Sequence, residues 1–322
     1  MLYPLKFKPL FKERIWGGEL LASAMNKKLP AGKRIGESWE LSAVPGDVSV
    51  VANGKLAGNN LEELTEVYMG DLVGDHIYNH FGLLFPLLIK LIDAQDDLSI
   101  QVHPNDQLAR ERHNSYGKTE MWYVLACEPG AALYVGFNKP VTREEYLQHV
   151  NDGTLADILD RVPVKPGDTF FIPAGTIHAI GRGLLIAEIQ QTSDITYRVF
   201  DWNRVDANGK GRELHTELAL DAIDFDSKQQ YDKTRTPRKN EAVNLVNSPY
   251  FVTNVVEVSG ELIRNHEDKD SFVIYMGTEG NLELTWGAGT ETLAKGETIL
   301  VPACLDEVLL KGEGKVLEIY MM

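Results

Sequence analysis

The sequence contains little cysteine and no long apolar segment. Its two cysteines, Cys127 and Cys304, lie far apart and form no CxxC pattern. This scarcity excludes a disulfide framework and a cysteine zinc site, so we expect reduced thiols and a cytoplasmic protein. The most apolar segment, Gly82–Ala94, is interrupted by Pro86 and by charged residues, and it is too short to span a membrane. The amino-terminal segment also lacks the continuous apolar core of a secretory signal.

Positive charge is also in deficit. The 32 basic residues face 47 acidic residues, which gives a formal net charge of −15. This charge argues against binding to nucleic acid or to an anionic membrane. An anionic substrate would therefore need Lys or Arg side chains placed at its binding site. The length of 322 residues, with 43% hydrophobic and 25% charged residues, is sufficient for two folded domains.

The segment Leu98–His103, with the sequence LSIQVH, predicts a β-strand that ends at Pro104. Side chains alternate along a strand, so Gln101 and His103 should share one face. An imidazole and an amide at the end of a strand are suited to bind a metal ion. For an isolated histidine, a hydrogen-bonded place in the core is the favoured interpretation, and the metal-ligand interpretation depends on the other candidate ligands that follow in the chain.

Other strands are predicted before and after this segment. The apolar segment Phe85–Asp93 precedes it, and Glu120–Ala126 follows it. We expect Leu133–Phe137 to pair with Glu120–Ala126. A Lys-Pro-Gly-Asp turn introduces a further strand, Thr169–Ile172, and a Pro-Ala-Gly turn then leads directly to His178.

Four side chains at predicted strand ends form a candidate metal site: Gln101, His103, Glu120 and His178. Two imidazoles, a carboxylate and an amide oxygen suit a divalent transition metal with one position open to water or substrate. The pattern alone is not decisive. The same ligand types occur in non-haem iron oxygenases and in β-barrel proteins without enzymatic activity.

Basic residues near these strands are candidates for anion binding. Arg198 lies in the predicted strand Asp194–Asp201, on the face opposite to its apolar side chains. If that face lines a cavity, its guanidinium is suited to bind a phosphate or a developing oxyanion. Lys118 should share the face of Glu120, and Lys90 lies inside an apolar strand. An ordinary surface arginine and paired structural lysines are the alternatives.

Short helices and a linker are also predicted. Helical spacing covers Leu61–Met69, and Thr142 followed by Glu145 predicts a capping box at the start of a helical insertion. A short amphipathic helix is expected at Glu213–Ile223. The polar run Ser227–Asn240 has the composition of an exposed linker.

The pattern of the first part recurs after this linker. Lys165–Ala174, KPGDTFFIPA, matches Lys295–Ala303, KGETILVPA, with one proline absent. Upstream, Glu120–Leu125 corresponds to Ser271–Met276. A repeated strand–turn–strand unit predicts two related β-barrels or jelly rolls, and a coincidence between two hairpins is the alternative.

The second copy should lack the metal ligands. In this alignment Ser271 stands at the position of Glu120, and Glu307 stands at the position of His178. His266 lies in the polar run NHEDKD, where we expect a solvated loop. A serine and one carboxylate are a poor ligand set for zinc, so one metal per chain is expected.

Four motifs in the same order resemble type I mannose-6-phosphate isomerase. They are PLLIKLIDAQDDLSIQVHPND (Pro86–Asp106), GKTEMWYVL (Gly117–Leu125), IPAGTIHAIG (Ile172–Gly181) and ITYRVFDWNR (Ile195–Arg204). The resemblance implies a mainly β fold with two cupin-like jelly-roll barrels and a few short inserted helices. It implies a catalytic metal-binding domain at residues 1–235 and a cupin-like domain without metal at residues 241–322. The large helical domain of longer family members is missing.

The resemblance also implies an enzymatic activity and roles for individual residues. It implies a zinc-dependent enzyme, with one Zn²⁺ per chain, that interconverts mannose 6-phosphate and fructose 6-phosphate. His103, Glu120, His178 and Gln101 match the metal-binding positions, although some short bacterial members lack the amide ligand. Arg198 matches the active-site arginine.

The reaction moves a proton between C1 and C2 through an enediol. A metal would polarise the substrate oxygens, while Arg198 and Lys118 would supply fixed positive charge at the enediolate or the phosphate. The general base stays open among Glu188, Asp201 and a metal-bound water. An iron-dependent cupin dioxygenase and a sugar-phosphate-binding protein without turnover are the alternatives, and the basic residues favour the isomerase.

Overall fold

The computed structural model describes residues 2–205, 208–226 and 234–322. The strands within these residues are β1 (Leu5–Lys6), β2 (Leu10–Glu13), β3 (Ile35–Leu41), β4 (Ala43–Val44), β5 (Asp47–Val48), β6 (Leu87–Ala94), β7 (Ile100–Val102), β8 (Glu120–Cys127), β9 (Ala132–Phe137), β10 (Leu159–Pro163), β11 (Thr169–Ile172), β12 (His178–Ile180), β13 (Leu184–Gln191), β14 (Tyr197–Phe200), β15 (Ala242–Asn247), β16 (Val252–Asn265), β17 (Val273–Trp286), β18 (Gly289–Ala294), β19 (Thr298–Val301) and β20 (Glu307–Tyr320). The fold is mainly β, as the sequence predicts.

The helices of the described residues are short and lie between the strands. They are α1 (Leu20–Ser23), α2 (Leu61–Tyr68), α3 (Gly70–Val73), α4 (Asp75–Phe81), α5 (Asp106–His113), α6 (Arg143–Asp152) and α7 (Thr216–Ala222), with 3₁₀ turns at Leu155–Ile158 and Glu267–Lys269. The capping box predicted for α6 is present, because Thr142 Oγ1 accepts from the Glu145 amide and the Glu145 carboxylate accepts from the Thr142 amide. No helix in this part of the chain has both the length and the apolar character to cross a membrane.

Two antiparallel sheets form the first barrel. One has the strand order β10-β9-β12-β7-β14, and the other has the order β11-β8-β13-β6-β3-β2. Their apolar side chains pack together between the sheets, where Leu133 and Val135 of β9 join a cluster with Trp122, Phe170 and Ile186. The central strands β6 and β13 are buried along their whole length. This sandwich brings the ends of β7, β8 and β12 to one place.

The third sheet contains the carboxy-terminal strands. Its order is β1-β19-β17-β20-β16-β15, and β18 pairs with β17. The amino-terminal strand β1 belongs to it, since Leu5 pairs with Leu300 of β19. We keep the division into residues 1–235 and 241–322 as a proposal, with β1 as an amino-terminal strand added to the third sheet. Of the predicted linker, residues 227–233 lie outside the described residues, and Thr234 donates a hydrogen bond to Asp168 Oδ1 at 2.7 Å.

One predicted strand pairing is wrong. β9 pairs with β10 and β12, whereas β8 pairs with β11 and β13 in the opposite sheet. Consecutive strands often pair, which is why the sequence favoured β8 and β9 as neighbours. Here the chain crosses from one sheet to the other between them.

The strand–turn–strand unit is present in both halves, but its alignment differs from the predicted one by two residues. Ile172 of β11 pairs with Glu120, whereas Val301 of β19 pairs with Val273. The position of Glu120 in the second copy is therefore held by Val273, and Ser271 lies two residues earlier. A valine side chain offers no metal ligand, so this change strengthens the expectation of a single metal site.

The prediction of a solvated His266 is also wrong. Its side chain is buried, with 5% of the residue exposed, and its Nε2 lies 2.9 Å from the Tyr275 hydroxyl. Burial lowers the pKa of His266 to about 4. The imidazole belongs to a buried polar cluster at the third sheet rather than to a loop in water.

Candidate metal centre

Three potential ligands converge where strands of both sheets begin or end. His103 follows β7, Glu120 opens β8 and His178 opens β12. One ligand atom from each of these side chains lies within 4.8 Å of the others, and all three residues are buried. Glu120 Oε2 is 3.5 Å from His103 Nε2, and Glu120 Oε1 is 3.4 Å from His178 Nε2. We call these three residues the triad.

Backbone carbonyls fix both imidazoles of the triad. His103 Nδ1 donates to the Ile195 carbonyl at 2.9 Å, and His178 Nδ1 donates to the Thr176 carbonyl at 2.8 Å. Each Nε2 is then unprotonated and lies within 3.5 Å of a Glu120 carboxylate oxygen, as expected for ligands that share one metal ion. Burial lowers the pKa of His178 to about 4 and the pKa of His103 well below its usual value. Both rings are therefore neutral and ready to bind a cation.

The carboxylate of the triad is not fully satisfied by protein groups. Glu120 Oε1 is buried and has no hydrogen-bond donor within the described residues. Burial raises the pKa of Glu120, and the nearby Glu188 carboxylate raises it further, so the charged form of Glu120 is disfavoured. A divalent cation bound at this position would stabilise the charged form. The unpaired oxygen and the two imidazole nitrogens fit a metal such as zinc.

Lys118 and Gln101 surround the same position. Lys118 Nζ lies 2.6 Å from Glu120 Oε2 and 2.9 Å from His103 Nε2, and the lysine is buried. Its ammonium thus compensates the charge of the triad carboxylate. Gln101 pairs with His178 across β7 and β12, and its amide nitrogen is placed 3.4 Å from His178 Nε2. Rotation of this amide by 180° would present its oxygen to the triad instead.

A buried ion pair lies on the facing sheet. Lys90 Nζ donates to Glu188 Oε1 at 2.9 Å and to Gln190 Oε1 at 2.6 Å, while Trp122 Nε1 donates to Glu188 Oε2 at 2.9 Å. Burial alone would raise the pKa of Glu188, but Lys90 and Lys118 outweigh it and lower the pKa to about 2. This pairing explains how a lysine is tolerated within the apolar strand β6.

A cavity of about 510 Å³ opens beside these groups. Six basic side chains line it: Lys12, Arg14, Lys90, Lys118, Arg198 and Arg212. Arg198 pairs directly with Gln101 across β14 and β7 and is half-buried. The cavity thus joins the surroundings of the triad to an arginine-rich wall, in a protein whose formal net charge is −15.

Sequence reasoning missed Lys12, Arg14, Trp39 and Arg212 among the residues of this cavity. Lys12 and Trp39 come from β2 and β3, where the indole ring lies 4.3 Å from Lys12 Nζ and 5.2 Å from Lys90 Nζ. Arg212 comes from an irregular segment, which carries no periodic signal. For Trp39 a signal existed, since the strand pattern of SWELSA places its side chain on a single face.

The chain is similar to known proteins over nearly its whole length. Residues 4–124 match the family model for the catalytic domain of phosphomannose isomerase type I, and residues 241–321 match the model for the mannose-6-phosphate isomerase cupin domain. The chain is 39% identical to mannose-6-phosphate isomerase ManA of Bacillus subtilis over 315 residues, which is 96% of each protein. It is 34% identical to a mannose-6-phosphate isomerase of Streptococcus mutans, with 98% of each covered. The crystal structure of the Bacillus subtilis mannose 6-phosphate isomerase superposes with a TM-score of 0.85 at 33% identity, covering 98% of this chain and 99% of that one.

Proposed function

This chain belongs to the type I mannose-6-phosphate isomerase family, and we propose that its cavity is where mannose 6-phosphate and fructose 6-phosphate are interconverted. One observation carries the assignment of the cavity. The buried triad adjoins a space lined by six basic side chains, which suits an anionic sugar that must also reach a metal. The fold is the all-β cupin fold of that family.

The residues present fit one zinc ion per chain. His103 and His178 offer neutral nitrogens, Glu120 offers an oxygen without a donor, and Gln101 is the candidate for a further, weaker ligand. Such a set leaves a position for water or substrate. When bound, the metal supplies Lewis-acid polarisation of the substrate oxygens at C1 and C2.

The remaining side chains position the substrate and move the proton. Lys118 and Arg198 provide fixed positive charge beside the reacting carbons, where negative charge develops on oxygen in the enediol step. Among the carboxylates that could move the proton between C1 and C2, Glu188 lines the cavity, where Lys90 and Trp122 hold its position. Asp201 is the poorer candidate base, because it does not line the cavity.

The alternatives are less well supported. A cupin dioxygenase and a sugar-phosphate-binding protein without turnover would both use the same ligand types. The related proteins are described as isomerases, and the match extends over nearly the whole chain. Two free cysteines, one exposed and one partly buried, are consistent with our proposal of a cytoplasmic enzyme.

A coupled assay on the purified protein tests this proposal. We expect the protein to convert mannose 6-phosphate to fructose 6-phosphate, to lose that activity with a chelator, and to recover it with added Zn²⁺. Oxygen consumption should not accompany turnover. Binding of mannose 6-phosphate without formation of the keto isomer by the metal-loaded protein would contradict the proposal and support the non-catalytic alternative.

A further inference from the structure

We propose that Arg212 binds the phosphate group of the substrate and thereby determines specificity for a phosphorylated sugar. The inference rests on the proposed function, because it names the side chain that recognises the phosphate in the same cavity. Arg212 lies in none of the strands or helices and lines the cavity together with Lys118 and Arg198. Its side chain is 33% exposed, so it is accessible to a ligand.

The segment after β14 folds back so that Arg212 reaches the cavity. It turns at Trp202 and Asn203, whose φ angles of 55° and 56° reverse the chain. It returns at His215, whose amide donates to the Arg198 carbonyl at 2.7 Å, while the Arg198 amide donates to His215 Nδ1 at 3.1 Å. These two bonds fasten the returning segment to β14 and hold Arg212 on the same wall as Arg198.

The charges around the cavity are unevenly compensated. Four of its six basic side chains have a carboxylate partner of their own, in the ion pairs Lys12–Asp47, Arg14–Glu37, Lys90–Glu188 and Lys118–Glu120. Arg198 forms no ion pair with any described residue and donates only to the Glu213 carbonyl, at 3.0 Å. Arg212 shares the Asp201 carboxylate with Arg204.

The guanidiniums of Arg198, Arg204 and Arg212 lie near two carboxylates, those of Asp201 and Glu213, which leaves an excess of positive charge at this wall. Burial lowers the pKa of Arg198, and the nearby Arg212 lowers it further, as expected for a cation lacking its own counterion. Arg198 Nε is also buried and has no hydrogen-bond partner within the described residues. A phosphomonoester dianion would neutralise the excess and accept hydrogen bonds from the Arg212 guanidinium, which carries more donors than its two hydrogen bonds to Asp201 use.

The position of Arg212 also suits the shape of the substrate. Arg198 pairs with Gln101 in the sheet and so lies on the side of the triad, whereas Arg212 comes from the segment beyond β14. The phosphate on C6 is separated by several carbons from C1 and C2. A ligand for the phosphate must therefore lie away from the metal ligands but within the same cavity.

Arg204 provides a matched control. Arg204 and Arg212 both donate to Asp201 Oδ1, so both support the same buried carboxylate. Only Arg212 lines the cavity. If Arg212 acts merely by holding Asp201, then Arg204→Gln and Arg212→Gln should have equal effects. If Arg212 binds phosphate, the two substitutions should differ.

The test measures kinetics and phosphate binding on the metal-loaded protein. For Arg212→Gln we expect KM for mannose 6-phosphate and Kd for inorganic phosphate, by calorimetry, to rise about 10- to 100-fold, since a hydrogen bond between charged groups is lost. kcat should stay within about 3-fold. Arg212→Lys should recover part of the affinity, and Arg204→Gln should change neither KM nor Kd by more than about 2-fold.

The possible results separate the two proposals. An active wild-type enzyme whose KM and phosphate Kd are unchanged by Arg212→Gln would overturn the inference alone. Equal losses in Arg204→Gln and Arg212→Gln would also overturn it, in favour of a structural role through Asp201. A metal-loaded wild-type protein that binds phosphate, with Kd raised by Arg212→Gln, but produces no keto isomer would instead overturn the proposed function and leave the phosphate site supported.

Discussion

Removal of Glu318 should destabilise the protein without impairing its chemistry. This carboxylate is buried in the third sheet and accepts from Arg264 Nε and Nη2 at 2.8 and 2.9 Å, from the Tyr275 hydroxyl at 2.9 Å and from Asn254 Nδ2 at 2.9 Å. Glu318→Ala would leave a mostly buried guanidinium and a buried hydroxyl without their acceptor. Breaking a buried ion pair in this way costs about 3–5 kcal/mol.

The loss should appear as a lower urea midpoint. With a slope of about 3 kcal/mol per molar urea, the midpoint falls by about 1 M or more. Glu261→Ala is the control, because Glu261 pairs with Lys311 on the same two strands but both side chains are more than half exposed, and its midpoint should hardly move. Replacing Glu318 and Arg264 together by Met should cost less than either single replacement.

The effect of Glu318→Ala should also depend on pH. Burial would raise the pKa of Glu318, but the Arg264 guanidinium outweighs this effect and lowers the pKa below its ordinary value of 4.5. The stabilisation is thus fully present above pH 4.5 and is lost as the pH falls through the lower folded-state pKa. The difference between wild type and mutant should shrink under acid conditions. A mutant as stable as Glu261→Ala at pH 7, or one that folds but has a strongly reduced kcat, would refute this reasoning.

The remaining predictions concern the site. His103→Ala and His178→Ala should each abolish zinc retention and turnover. Gln101→Ala should have a smaller effect, because water can replace an amide oxygen. Elemental analysis measures the zinc content, and the coupled assay measures turnover. Arg198→Lys should lower kcat by about 10²-fold or more, the scale of removing one donor to a transition-state oxyanion, with metal content unchanged; a raised KM alone would make it a ground-state phosphate ligand. Chelation should lower the melting temperature, since the metal binds only the folded chain, and an unchanged value would contradict the triad as its site.

Local signals in the sequence were enough to identify the candidate metal ligands. Pro104 ends the strand at His103, strand alternation places Gln101 on the same face, and turns precede His178. These signals act over a few residues and do not depend on which strands become neighbours. The structure places the side chains within ligand distance because the ends of their strands meet.

The sequence predictions were wrong, or missed a residue, where the position of a side chain depends on contacts with distant parts of the chain. The two-residue shift between Ser271 and Val273 keeps every side chain on the same face, so the alternation of apolar residues could not reveal it. The polar neighbours of His266 hid a burial that depends on Tyr275 in another strand. Arg212 reaches the cavity through an irregular segment that is hydrogen-bonded to β14. The composition of this segment does not indicate that it folds back towards the cavity.

The two halves bury a carboxylate at the same place in their sheets, and the different surroundings of these two carboxylates are the reason why we expect a metal site in only one half. Glu188 of β13 lies opposite Trp122, and Glu318 of β20 lies opposite Tyr275, where β8 and β17 are the corresponding strands. In the first half the carboxylate lines the cavity beside the triad. In the second half each oxygen of Glu318 accepts two hydrogen bonds, so no lone pair is left for a metal or a substrate. Val273 replaces the ligand carboxylate there, and we therefore expect elemental analysis to find one metal per chain rather than two.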